Sequence, residues 1–210
     1  VLYLDNHLLV VHKPAGVLVQ GDRTGDATLL DQGRAHLKEC FQKPGNVYLA
    51  IVHRLDRPTS GVLLFARTSK AAGRLAEQFR KRQVRKIYWA MVEGKVPAKG
   101  NLKHRLARKE GRSHVVEEGG QEARLSYRRL RYAKGISWIE VELLTGRHHQ
   151  IRVQFAHLGH PVIGDFRYGS KTKFGDKALA LHARSLTIIH PTRRDEMTFV
   201  DEPGPDWLLP

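Results

Sequence analysis

The sequence predicts an α+β fold: a mixed, mainly antiparallel central sheet flanked by helices and basic loops, in a single domain spanning 1–210. Three observations lead there. The chain opens with two short apolar runs, Val1–Leu4 and Leu8–Val11, bent back on each other around Asp5-Asn6. The middle holds one run apolar on both faces, Ile87–Glu93, and one that alternates, Ile136–Leu144. Apolar stripes of helical period fall between the strand-like segments and not in an unbroken series.

In chain order, the opening hairpin leads into Lys13-Pro14-Ala15-Gly16, a turn in which Gly16 is free to take positive φ. Asp26 is expected to cap a helix running to about Cys40, weakened in its middle by Gly33. Val62–Ala66 is apolar enough to be a buried strand. Thr68 to about Gln83 is the clearest helix: Ala71, Leu75 and Phe79 fall on one stripe, and the outer face carries Lys70, Arg74, Arg80, Lys81 and Arg82. Ile87–Glu93 is then a central strand. In Ile136–Leu144, Ile139, Val141 and Leu143 oppose Glu140 and Glu142, which predicts one wet face. Gly146–Leu158 is read as a helix with Ile151, Phe155 and Leu158 inward and Gly159 at its C-terminal end, and Leu186–Ile189 as a late strand. The stretch 99–114 differs. It carries Lys99, Lys103, Arg105, Arg108, Lys109 and Arg112 against a single acid, Glu110, and is expected to be an exposed loop or loose hairpin.

With 36 Lys and Arg against 21 Asp and Glu, the chain has a net charge of +15 and should prefer a polyanionic partner. The single cysteine, Cys40, excludes an internal disulfide and suits a reducing compartment, so a cytoplasmic location is expected. No stretch approaches the roughly 20 apolar residues of a membrane span, and no signal peptide is visible. Val1 already reads as strand, so an initiator Met and a leader are expected upstream of it. A monomer is the expected state.

The chemistry is concentrated in three segments. In His53-Arg54-Leu55-Asp56-Arg57-Pro58-Thr59-Ser60-Gly61 one carboxylate stands between two guanidinium groups, and a neighbouring Arg favours an ionised acid. Pro58, Thr59, Ser60 and Gly61 are turn residues, so Asp56 lies on a tight loop entering a buried strand, held as rigidly as a reacting group needs. The second segment is Arg85-Lys86-Ile87-Tyr88-Trp89-Ala90. The third is Thr145-Gly146-Arg147-His148-His149-Gln150-Ile151-Arg152, followed by Gly159-His160-Pro161, Gly164-Asp165 and Tyr168-Gly169. A phosphate-binding G-x-x-x-x-G-K-[ST] loop and a G-x-S-x-G elbow are both missing from the sequence, which argues against nucleotide hydrolysis and esterase chemistry. The histidine pairs His148-His149 and His157/His160 fit no familiar metal-ligand spacing, so no metal is expected.

These strings resemble the motifs of the RluA-type pseudouridine synthases. The resemblance runs from Lys13 to Pro191, taking in Lys13–Gly16, the Asp56 loop, the Tyr88 strand, the Thr145–Gly169 segment, and the late Leu181-His182-Ala183 and His190-Pro191. It departs around Arg124 and Leu125, where the family usually has a small hydroxyl residue. It implies that Asp56 is the catalytic aspartate, that Arg152 pairs with it, and that Tyr88 lies in the active site. It also implies that Leu181 and Ile151 line the pocket, and that Arg54 fills the place of a flipped base or grips a phosphate. The reaction so implied is conversion of uridine to pseudouridine in RNA, ribosomal before transfer RNA, with no cofactor. Lys103, Arg105 and Arg108 of the basic stretch then become contacts to RNA phosphates. Members of the family often carry an S4-type RNA-binding domain; none is visible here, so recognition of the target is expected to come from 1–210 itself. The rival expectation is an RNA-binding or ribosome-assembly protein with the same fold and no turnover.

Overall fold

A computed structural model describes residues 1–21, 25–176, 178–204 and 207. The strands are β1 Tyr3–Leu4, β2 Leu8–Lys13, β3 Ala50–Ile51, β4 Ser60–Ala66, β5 Arg85–Glu93, β6 Lys99–Lys109, β7 Arg112–Val116, β8 Gln121–Ala133, β9 Ile136–Leu143, β10 Leu181–Ile189 and β11 Glu196–Val200. The helices are α1 Leu29–Cys40, α2 Ser69–Arg80 and α3 Gln150–His157, and a 3₁₀ turn covers Phe166–Tyr168. All eleven strands form one sheet, ordered β1-β2-β4-β10-β5-β9-β8-β6-β7, with β3 beside β4 and β11 beside β10. The pairing is antiparallel except for β4 with β10, which run parallel. The expected mixed, mainly antiparallel sheet is therefore what forms, and no helix among the described residues is long and apolar enough to cross a membrane.

The helices sit where their apolar stripes dictate. Leu29 and Leu37 of α1 pack with Leu9, Leu63 and Phe65, whereas Ala71 and Leu75 of α2 pack with Leu8, Val10, Val62 and Leu64. Successive residues of a strand point to opposite faces, so α1 and α2 cover opposite faces of β2 and β4. The cap of α1 is Thr28 and not Asp26: Thr28 is extended and its hydroxyl accepts from the Asp31 N–H at 3.1 Å, while Asp26 lies two residues too early and instead meets Arg57 Nη2 at 2.6 Å. Gly33 belongs in α1 because a Cβ there would stand 2.9 Å from Leu49 Cδ2, so its absence lets the helix settle onto the sheet. In α2, Thr68 caps Ala71 and the helix ends at Arg80, with Arg82 in the left-handed region at φ 58°.

Three expectations are corrected. The segment Gly146–Leu158 is helical only from Gln150, because His149 has φ 55°; Leu158 follows the last turn and is exposed, while Gly159 at φ 80° closes the end. The late strand begins at Leu181, five residues earlier than expected. Of the two forms expected for the basic stretch 99–114, the hairpin is the one that forms, β6 and β7 around Glu110-Gly111, and it is not loose, because Lys99 to Leu106 of β6 also pair with β8. Its apolar signal is Leu102 and Leu106 on one face with charges between them, a pattern that charge density conceals. Thirteen-residue β8, the longest strand, carries so many Arg residues that its alternation of Ala123, Leu125 and Tyr127 was equally hard to see.

Candidate active site

Strand β5 lies in the middle of the sheet, between β10 and β9, and holds Tyr88 opposite Ala183 and Val141. The Asp56 loop enters β4, which pairs with the other edge of β10. Gly61, the second residue of β4, has φ 117°, and a Cβ there would fall 2.3 Å from the Ala183 oxygen. Only glycine lets the two parallel strands approach this closely. The loop is tied from behind. Lys13, fully buried at the end of β2, donates from Nζ to the carbonyls of Pro14 (3.1 Å), Arg57 (2.9 Å) and Thr59 (2.7 Å). Burial pulls this ammonium down to about 8, against the pull of Asp56 in the other direction. Gly16 N–H donates to Arg57 O at 2.8 Å and Arg57 Nε to Gly16 O at 2.9 Å, so the Lys13–Gly16 turn and the Asp56 loop clasp each other.

The guanidinium that meets Asp56 is not one of its sequence neighbours. Arg57 turns to Gly16 and Asp26, and Arg54 is exposed at the cavity wall. The partner is Arg152, on α3, whose Nη1 donates to Asp56 Oδ2 at 3.1 Å. Arg152 is 5% exposed and is itself gripped by Asp165, 1% exposed, through Nε (2.6 Å) and Nη2 (2.9 Å). Burial alone would lower its proton affinity; Asp165 and Asp56 outweigh that and hold it above the ordinary value. The cation is thus fixed before any substrate arrives.

A second chain of hydrogen bonds ends beside the same carboxylate. The Ser113 N–H donates to Tyr168 Oη at 3.0 Å, and Tyr168 Oη lies 2.9 Å from His149 Nδ1. The other ring nitrogen of His149, Nε2, lies 3.6 Å from Asp56 Oδ2. Burial, then Arg152 and His148, push His149 down to about 2, so it stays neutral. His148 stacks on it at 3.7 Å between ring centres. On the other side His53 accepts from the Leu64 N–H at 3.0 Å, and burial, with Lys86 nearby, pushes it down to about 3.

Asp56, Tyr88, Arg152, Ile151, Leu181 and Arg54 all line one cavity of about 590 Å³. The sequence reading therefore brings its candidate residues to one place, with the half-buried Tyr88 phenol held above its usual range by burial and by the Asp56 charge. Lys103, Arg105 and Arg108 do not line it. They also do not share one face of β6. His104 meets Gln154 of α3 at 2.9 Å and Leu106 packs with Val153 and Tyr168, which puts Arg108 on the α3 side. Lys103 and Arg105 point the other way, toward Glu122 (3.7 Å) and the carbonyls of Gly119 and Gly120. Sequence reading assigned no role to Asp165, His149, Tyr168 or Lys86. Asp165 and Tyr168 stood in motif strings, yet nothing in the spacing says that a carboxylate thirteen positions after Arg152 returns to hold it.

The family described as RNA pseudouridylate synthase has a sequence model that matches residues 7–157, a stretch that holds Asp56, Tyr88 and Arg152. An uncharacterized RNA pseudouridine synthase of Bacillus subtilis is 35% identical over 212 residues, covering 98% of this chain and 68% of that protein. A ribosomal large subunit pseudouridine synthase D of Pseudomonas aeruginosa is 33% identical over 228 residues, covering 100% and 70%. Among solved structures, human RNA pseudouridylate synthase domain containing 4 superposes with a TM-score of 0.81 at 25% identity, covering 98% of this chain and 89% of that one. The chain spans 64% of the length of a Synechocystis relative, an uncharacterized RNA pseudouridine synthase, to which it is 35% identical.

Proposed function

Since the chain belongs to the RNA pseudouridylate synthase family, we propose that it isomerises specific uridines of RNA to pseudouridine through Asp56. The reaction breaks the N1–C1′ bond, turns the uracil, joins C5 to C1′, and moves the C5 proton so that N1 gains one. Nothing is oxidised or transferred, and the reading calls for no cofactor. The observation that carries it is the Asp56 carboxylate at 3.1 Å from Arg152, in a cavity large enough for a nucleotide.

In this reading the target uridine leaves its stack to enter the cavity. Asp56 acts at the ribose, by attack on C1′ or by taking a C2′ proton. Arg152, held by Asp165, keeps that carboxylate charged and aimed, and the Nε2 edge of His149 faces the same oxygen. Tyr88 stacks on the base; its raised proton affinity favours a neutral phenol over a resting phenolate. Leu181 and Ile151 give the base an apolar wall, and Arg54 at the wall takes the flipped base's former place or a phosphate. The names of relatives such as the large-subunit synthases of Pseudomonas aeruginosa and Xylella fastidiosa favour ribosomal RNA as substrate, ahead of transfer RNA. The protein works as a monomer in the cytoplasm, with Arg108 and the α3-side face of the β6–β7 hairpin against RNA phosphates.

The test is pseudouridine formation on transcribed ribosomal and transfer RNA by the wild type and by Asp56→Asn. Conversion by the first and none by the second is expected. RNA binding without conversion by the wild type would favour a non-catalytic RNA-binding protein, and release of free uracil would point to hydrolysis.

A further inference from the structure

The cavity has a second end. Along β5, Lys86 is two residues from Tyr88 and on the same face, about 7 Å away by strand geometry. Lys86 is half-buried, and its Nζ lies so close to Gly146 that a Cβ there would be 3.4 Å from it. Arg82, just past α2, and Arg147, just before α3, line the cavity with it. Arg147 is oriented by its Nε bond to the Glu122 carbonyl at 2.9 Å. Among the described residues no carboxylate pairs with Lys86, Arg82 or Arg147. The whole lining holds one acid, Asp56, against Arg54, Arg80, Arg82, Lys86, Arg147 and Arg152. A half-buried ammonium facing two guanidinium groups is an unfavourable arrangement in the free protein, and a bound anion reverses it. Burial, Arg82 and Arg147 together draw Lys86 down to about 8, which agrees with a cation lacking a counter-charge.

We infer that Lys86, Arg82 and Arg147 form a phosphate subsite that binds an RNA phosphodiester next to the uridine held at Tyr88 and Asp56. The inference rests on the proposed isomerase reading for the identity of the strand and adds to it a fixed position for one phosphate. About 7 Å along β5 is the span between a stacked base and the phosphate of its own nucleotide, so a single nucleotide bridges both ends of the cavity. Lys86 supplies a point charge, and the guanidinium groups supply directed pairs of N–H donors.

Amine acylation footprinting reads this subsite without requiring turnover. At pH 8 an amine-reactive reagent labels Lys86, and mass spectrometry compares its labelling in the free protein with that in uridine, uridine 5′-monophosphate, inorganic phosphate and a short oligouridylate. Expected is several-fold protection of Lys86 by the monophosphate and the oligouridylate at concentrations where uridine and inorganic phosphate give none. Equal labelling in every arm overturns the subsite. Protection by inorganic phosphate at the same concentration as the monophosphate assigns the cluster to a free anion and overturns the diester reading, and protection by uridine assigns it to the base. In parallel, Lys86→Gln is expected to weaken oligouridylate binding about tenfold, as loss of one charge-assisted contact does. An unchanged affinity sinks the inference. Failure of the isomerase reading shows separately, as absence of pseudouridine in the wild-type assay.

Discussion

Arg152 and Lys86 are both cations in the wall of one cavity, yet their surroundings are opposite. Arg152 gives three N–H groups to two carboxylates, one of them almost wholly buried, and stacks its guanidinium 5.1 Å over the Tyr168 ring. Lys86 faces Arg82 and Arg147 and has no acid beside it among the described residues. A cation with its charge already balanced can orient a neighbouring group but has little left for a ligand. A cation without a counter-charge orients nothing until a ligand comes. The difference divides the cavity into an end built to hold a carboxylate still and an end built to receive an anion.

The largest effect expected from this division is at the balanced end. Asp56→Asn keeps the shape and removes the charge, and turnover should fall by roughly a thousandfold or more while RNA affinity, measured by filter binding, stays near wild type. Retained turnover would break the assignment. Removing Arg152 leaves Asp165 buried without a partner, and Arg152→Ala should lower stability by about 3–5 kcal/mol in urea unfolding. Lys86→Gln removes a half-buried charge that has no counter-charge, and should leave stability unchanged or raise it. If the two variants destabilise equally, the distinction between the two ends is wrong.

Acid stability sharpens the same picture. His53 and His149 are held neutral, with folded values of about 3 and about 2. An unfolded histidine takes up its proton near pH 6.5, so between that pH and the folded values the unfolded state binds more protons. Stability contributed by keeping these rings neutral is present above about pH 6.5 and is lost as pH falls, by up to about 1.4 kcal/mol per pH unit for each ring. His53→Asn, which can still accept from Leu64, should flatten the fall of the urea midpoint below pH 6.5. A slope equal to wild type would show His53 titrating freely. Tyr168→Phe removes the hydroxyl bonded to His149 Nδ1. It should lower kcat several-fold with KM little changed, and the ¹⁵N chemical shifts of His149 should move. The smallest effect separates the faces of β6. Arg108→Gln should reduce the log–log salt slope of RNA binding by about 0.9, and Lys103→Gln should leave it unchanged.

Most of the fold was legible in the residues because its signals are local. The α2 stripe of Ala71 and Leu75, the β9 alternation and the central character of β5 all follow from spacing within a few residues. What stayed hidden was of two kinds. Strands β6 and β8 bury one face while the other carries a dense run of charge, so their period is masked by composition. The tie between Arg152 and Asp165 crosses a helix end and a turn, and the left-handed turn at His149 that shortens α3 has no glycine at that position to announce it. The candidate Asp56, Tyr88 and Arg152 were found because three motif strings named them. The pairing of Arg152 with Asp56 was implied by the motif resemblance; that Arg57 turns away to Gly16 and Asp26 was visible only in three dimensions.

The order of the sheet also sets a timetable. Strand β10 lies between β4 and β5, although it follows both far along the chain, beginning at Leu181 where β4 ends at Ala66 and β5 at Glu93. Until β10 is synthesised and inserted, the strand that follows Asp56 and the strand that holds Tyr88 have no neighbour in common, and each leaves a raw edge. A nascent chain that has reached Arg152 but not Leu181 therefore holds the candidate Asp56, Tyr88 and Arg152 without the strand that joins their elements, and the sheet closes by a slow, non-local pairing.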